Sequence, residues 1–237
     1  MDRLSLAIFS RNAANRVLSL LHAALFSETP KIIRKLRNHP GKILLLRTGN
    51  IGDTACALPA LAAIRENFPR AHLCLLTSPG PRGPPEPGQV LDGQDLVNEI
   101  ITFYNDDLRD WRFRRTLLTD LRRRGFDLFI LLPQARTNFT RTFRDLLFAR
   151  LLGVKGAWGF ELAYSFPGFE LRTLKRYVPR ENEVERLLRL LGQAGINGIR
   201  PFRLNLPARC QRRATELLAA YRLDGRPVVG FQVFAKA

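Results

Sequence analysis

Five short apolar runs punctuate the chain after Pro40-Gly41: KILLLR (42–47), HLCLLT (72–77), VNEIITF (97–103), FDLFILL (126–132) and a weaker KGAWG (155–159). Between them lie segments of helical period at 54–67, 112–124 and 138–152, the last with Phe139, Phe143, Leu146 and Leu147 on one face. A strand that is apolar at every position has both faces buried. Such strands alternating with amphipathic helices predict an α/β fold, a Rossmann-like parallel sheet with helices on both faces, wound by right-handed βαβ crossovers.

Beyond the fifth run, Asn182 followed by Glu185 has the form of a capping box, opening a helix with Val184, Leu187, Leu188 and Leu191 on its buried stripe. A further helix over about 208–222 is expected to bury Ala214, Leu217, Leu218 and Tyr221. The final run, Val228 to Val233, either closes the same sheet or is the first strand of another domain. The segment 78–95 carries five prolines and four glycines and is expected to be a surface loop without helix or strand of its own.

The formal charge of +17 rests mainly on arginine. Such a surface attracts anions: nucleic acid, acidic lipid head groups, or a phosphorylated or carboxylated substrate. The absence of a recognised nucleic-acid module, and the few aromatics among the arginine runs, disfavour nucleic acid. Cys56, Cys74 and Cys210 are widely spaced and read as buried free thiols of a reducing cytoplasm. Three isolated histidines leave no metal-ligand spacing, so no metal is expected.

No apolar run reaches the roughly 18 residues that a spanning helix needs. Residues 1–40 nevertheless form a basic amphipathic extension. Val17, Leu18, Leu21, Ala24 and Leu25 recur at helical spacing, and KIIRKLRNHPGK follows without an acid. It reads either as an anchor on an anionic membrane surface or as a helix packed on the body of the protein.

In an open parallel sheet, ligands bind beyond the carboxyl ends of the strands. The segments expected there are Thr48 to Asp53, the Pro/Gly loop, Pro133 to Asn138, and Gly159 to Tyr164. The first of them, Gly49-Asn50-Ile51-Gly52-Asp53, lacks the third glycine of a dinucleotide fingerprint, and no Gly-Lys-Ser/Thr follows. A carboxylate stands where a phosphate would approach, so the turn presents an acid. Asp53 can serve as a helix cap or as a general base. Gly49 and Gly52 permit a tight turn and the close approach of a ligand. Asn50 can hydrogen-bond a sugar hydroxyl, and Arg136 and Asn138 fall on the crevice rim with the chemistry to bind acidic groups; for all three, ordinary loop roles remain open. Trp111 and Trp158 are expected as packing anchors, with sugar stacking open to Trp158.

The stretch KILLLRTGNIGDTACALPALAAIRENFPRAHLCLLTSP resembles the opening of the heptosyltransferase-type glycosyltransferases, glycosyltransferase family 9. Members begin with an apolar strand, a turn ending in Gly-Asp, a Leu-Pro-Ala-Leu helix, Phe-Pro and a second strand. GFDLFILLP, LLFARLLGVKGAWGF and ENEVERLLRLLGQAGI are similar to later parts of the same domain. The resemblance implies a GT-B architecture of which residues 41–226 form the acceptor-side domain and 227–237 the first strand of a donor-binding domain absent from this chain. It implies Asp53 as general base; a direct displacement with inversion needs only one such base, and Gly49, Asn50, Gly52, Arg136 and Asn138 are expected near the acceptor from their place in the turn and on the crevice rim. The implied donor is a nucleotide sugar, ADP-heptose, and the implied acceptor an acidic glycolipid of the lipopolysaccharide core. Neither cofactor nor metal is implied, and the setting is cytoplasmic, peripheral to the inner membrane. The donor-side motifs have no counterpart here, which leaves two alternatives: a non-catalytic basic protein binding nucleic acid or anionic membrane, or an inactive remnant of the family.

Overall fold

The computed structural model describes residues 3–83, 86–135, 137–162, 182–198 and 204–221. Arg136, the stretch 163–164 of the expected crevice, and the terminal run Val228 to Val233 lie outside the described residues. The chain divides into two compact units, residues 1–91 with 95–202, and residues 92–94 with 203–237.

The first unit is built on five parallel strands: β1 (Lys42–Thr48), β2 (His72–Ser78), β3 (Glu99–Thr102), β4 (Leu128–Leu131) and β5 (Gly156–Trp158). Their order is β3-β2-β1-β4-β5, with β1 central. The chain builds outward from β1 to β3 and then returns to the other side of β1. Neighbouring crossovers therefore diverge between β1 and β4, the switch point at which open α/β sheets bind ligands.

Helices α1 (Arg3–Leu25), α2 (Thr29–Asn38), α3 (Ile51–Asn67), α4 (Trp111–Arg123), α5 (Phe139–Leu152) and α6 (Glu183–Gly192) flank the sheet. Side chains of a strand point alternately to its two faces, so Ile43 and Leu45 enter one core and Leu44 and Leu46 the other. The first core takes Ile33 and Leu36 of α2, Leu61 and Ile64 of α3, and Leu187 of α6. The second takes Phe26 beyond the end of α1, Leu121 of α4, and Leu146 and Ala149 of α5.

The α1–α2 junction thus crosses from one face to the other over the open edge of β5, and its side chains satisfy that edge. The Ala157 amide donates to Thr29 Oγ1 at 3.1 Å, and His22 Nε2 donates to the Ala157 carbonyl at 2.6 Å. Asn15 of α1 accepts from the Leu162 amide at 2.8 Å and donates to the Leu162 carbonyl at 3.2 Å. An edge strand left bare would template aggregation. Here residues 15–29 cover it.

Several expectations need correction. The Pro/Gly segment contains a short 3-10 turn, Pro87–Leu91, because Leu91 and Val90 pack into the first core against α3. On α5 the buried stripe is Thr142, Leu146, Ala149 and Leu152, leaving Phe139 and Leu147 exposed. On α6 it is Arg186, Leu187, Leu190 and Leu191. Of the cysteines only Cys74 is buried, its thiol pushed up to about 12 by burial and by Glu99. Cys56 lies on the face of α3 away from the core residues Ala57, Leu58 and Leu61, and it is exposed, as is Cys210.

In the second unit, α7 (Ala208–Ala220) forms where a helix was expected, but none of its residues is buried. The described contacts within that unit include polar ones, Gln94 with the Asn205 backbone and Arg209 with Asp92, while Leu204, Leu206 and Tyr221 are exposed.

Candidate functional site

The β1–α3 turn opens with Gly49 at φ +131°, a backbone conformation that disfavours any side chain. Space forbids one as well. A Cβ there would stand 2.5 Å from Asp53 Oδ2 and 2.7 Å from Gln134 Nε2. The Gly49 amide donates across to the Ser78 carbonyl at 2.9 Å, and Gln134 Nε2 donates to the Thr48 carbonyl at 3.0 Å, so the turn is tied to the ends of both neighbouring strands.

Asn50 is the N-cap of α3 and Asp53 its third residue. The Asn50 amide donates to Asp53 Oδ2 at 2.9 Å, the reach-back arm of a capping box. Asp53 does cap the helix, yet its side chain keeps 39% of its surface exposed. Beside it, a Cβ on Gly52 would meet nothing within 4 Å. Gly52 is required neither by its backbone conformation nor by crowding. It leaves an open approach over the first turn of the helix, next to the carboxylate.

Beneath the turn lies a charge network that sequence reasoning missed. Arg47, the last-but-one residue of β1, is fully buried. Its guanidinium donates to the carbonyls of Leu132 at 3.1 Å, Pro133 at 2.9 Å and Asp53 at 2.9 Å, and to Glu183 Oε1 at 3.1 Å. Its Nη2 also stands 3.8 Å from Asp53 Oδ1. Arg186 braces Glu183 at 2.8 Å and donates to the same Pro133 carbonyl. Burial pushes the Arg47 guanidinium below its ordinary value, while Glu183 and Asp53 pull it back up. One side chain therefore joins the ends of β1 and β4, the first turn of α3 and the start of α6, and holds Asp53 from below. The sequence marks the two ends of this network separately, a charge near the close of an apolar strand and an i, i+3 Glu-Arg pair in ENEVER, but not the contact between them.

The structure brings Gly49, Asn50, Gly52 and Asp53 together at the switch point, with Gln134 added. Asn138 is the N-cap of α5 and accepts from the Arg141 amide at 3.0 Å, so its oxygen is committed to the helix. Trp111 does not act as a packing anchor: it begins α4 with 57% of its surface exposed. Trp158 is half-buried, donates to the Leu190 carbonyl at 2.8 Å, and lines a pocket of about 260 Å³ with His22, Phe160, Glu161 and Gln193. Among the described residues no group of three or more His, Cys, Asp or Glu side chains is placed to hold a metal ion.

No family model and no curated protein sequence matches the chain. Solved structures do. A glycosyltransferase family 9 structure from Veillonella parvula aligns with a TM-score of 0.52 at 15% identity, over 76% of this chain and 50% of that one. The ADP-heptose lipopolysaccharide heptosyltransferase II of E. coli aligns at TM-score 0.45 and 18% identity, over 75% and 50%. The E. coli heptosyltransferase WaaC with ADP gives 0.46 and 17%, over 70% and 54%. The chain thus spans about half the length of the structures it matches. Its parallel five-stranded sheet with helices on both faces is similar in fold to half of a family 9 glycosyltransferase structure.

Proposed function

We propose that this chain is the acceptor-binding half of an inverting glycosyltransferase, with Asp53 as the general base. The observation that carries the reading is a solvent-facing carboxylate at the sheet's switch point, supported from below by Arg47 and flanked by the open approach at Gly52. In the proposed reaction, an acceptor hydroxyl oxygen forms a bond to the anomeric carbon as the bond from that carbon to the diphosphate breaks. The electron pair leaves with the nucleotide diphosphate, and the hydroxyl proton passes to Asp53. A positioned base contributes about 10²- to 10⁴-fold to such a step. Direct displacement needs one base, unlike the paired carboxylates of a retaining glycosidase.

The finer terms rest on the resemblance of residues 42–79. They are ADP-heptose as donor, held by a second domain; an acidic lipopolysaccharide-core glycolipid as acceptor; independence of metals; and work at the inner face of the inner membrane. Asn50, Arg136 and the side-chain NH2 of Asn138 are the further proposed acceptor contacts. The net charge of +17 suits an acidic acceptor.

The reading is tested by titrating the isotopically labelled chain with a deacylated, Kdo-containing core oligosaccharide and following backbone amide resonances. Saturable shifts centred on Gly49 to Asp53 are expected. Shifts that avoid this turn, or none at millimolar oligosaccharide, contradict it.

A further inference from the structure

We propose that the layer formed by α1, α4 and α5 is a docking face for an anionic lipid bilayer. The inference is independent of the sugar chemistry and rests on how apolar surface and charge are divided between the two sides of the sheet. Among the described residues of the first unit, nine large apolar side chains are exposed, and seven of them belong to α1, α4 and α5. The side of α1 opposite Asn15, Leu18 and His22 presents Val17 and Leu20, the latter 71% exposed. On α5, Leu147 and Leu151 recur at i, i+4, and Leu151 is 56% exposed. Helix α5 packs against both α1 and α4, so these stripes belong to one layer.

Charge is divided the same way. Residues 11–25, 111–123 and 139–152 carry ten arginines against only Asp120 and Asp145. Helices α2, α3 and α6 on the other side carry seven Lys or Arg against four Asp or Glu, so the excess of basic over acidic groups is concentrated where the apolar groups are exposed. A second copy of the chain would oppose one arginine-rich face to another. Nucleic acid would satisfy the guanidinium groups and leave the leucines in water. A bilayer with anionic head groups takes both: leucine side chains enter the acyl boundary while Arg16, Arg141 and Arg150 meet phosphates. The bilayer contact thus falls on the α1 side of the sheet rather than on the strongly basic α2.

The test is co-sedimentation of the 237-residue chain with vesicles of phosphatidylglycerol and phosphatidylcholine, and with vesicles of phosphatidylcholine alone. Binding to the first and not the second is expected, weakening as salt rises. The pair R16E/R150E should weaken binding at least about 25-fold, since each basic group near an anionic surface is worth about fivefold. K31E/R34E on α2, which makes the same change in net charge, should leave binding within about threefold of wild type. L20S/L151S, at exposed positions checked for folding by thermal melting, should lower binding that persists in high salt. Equal loss in both charge variants, or no binding to anionic vesicles, overturns the proposal. So does a lipid-free dimer that L20S/L151S dissociates, because the face would then belong to a second copy.

Discussion

In the proposed mechanism, capping and catalysis share the one carboxylate of Asp53. One oxygen closes the first turn of α3 through the Asn50 amide, and the side chain still keeps a solvent-facing surface. A capping residue is oriented by the helix it caps, and orientation is what a general base needs. The two glycines beside it divide the remaining labour, and their substitutions should separate. Gly49→Ala must adopt a strained backbone and push aside Asp53 or Gln134, so it should destabilise the chain by about 1–3 kcal/mol in urea unfolding. Gly52→Ala meets open space in a helix and should be neutral or stabilising by up to about 1 kcal/mol, while raising KM for the acceptor. In the proposed mechanism Arg47 is a positioning residue. Arg47→Met leaves the Leu132 carbonyl without its side-chain donor and removes one of the two arginine donors from Glu183 and from the Pro133 carbonyl, and should cost about 3–5 kcal/mol by the same measurement. Arg47→Lys should recover little of this, because an ammonium group cannot span four acceptors arranged for a planar fork.

Among the elements, the edge of β5 is closed by side-chain hydrogen bonds, the Thr29 hydroxyl on the Ala157 amide and His22 on its carbonyl. Thr29→Val keeps the shape, removes the acceptor for the Ala157 amide, and should lower stability by about 1–3 kcal/mol in denaturant melts, with Thr29→Ser milder. Strands β1, β2 and β4 were legible in the sequence because both faces are buried and their central positions, 43–46, 73–76 and 128–131, are all apolar. Helices α4 and α5 were legible from their period. The face each helix buries was less so. Phe139 and Leu147 of α5 fit an apolar stripe by spacing, but Leu146 and Ala149 are the residues that join Phe129 and Phe160 in the second core, with Thr142 also buried. The role of α1 was open between a membrane anchor and a packed helix. Packing decides one side of it, through Asn15, Leu18 and His22, and leaves the opposite side to solvent.

Across the whole molecule, the strand order places the Gly-Asp turn where two crossovers diverge, and pattern alone pointed to that crevice before any coordinates. The Arg47 network was not legible in the same way. It joins residues 136 positions apart, and no local spacing encodes that contact. The likeness to half of a family 9 glycosyltransferase structure is one of fold, so the proposed chemistry stands on Asp53. Sugar transfer from ADP-heptose to a core acceptor, measured for the natural gene product and for its Asp53→Asn variant with melting curves in parallel, tests that point most directly. Asparagine can still accept from the Asn50 amide, so the account predicts an unchanged melting temperature with kcat lowered about 10²- to 10⁴-fold. A variant that melts like wild type and transfers sugar at the wild-type rate contradicts it.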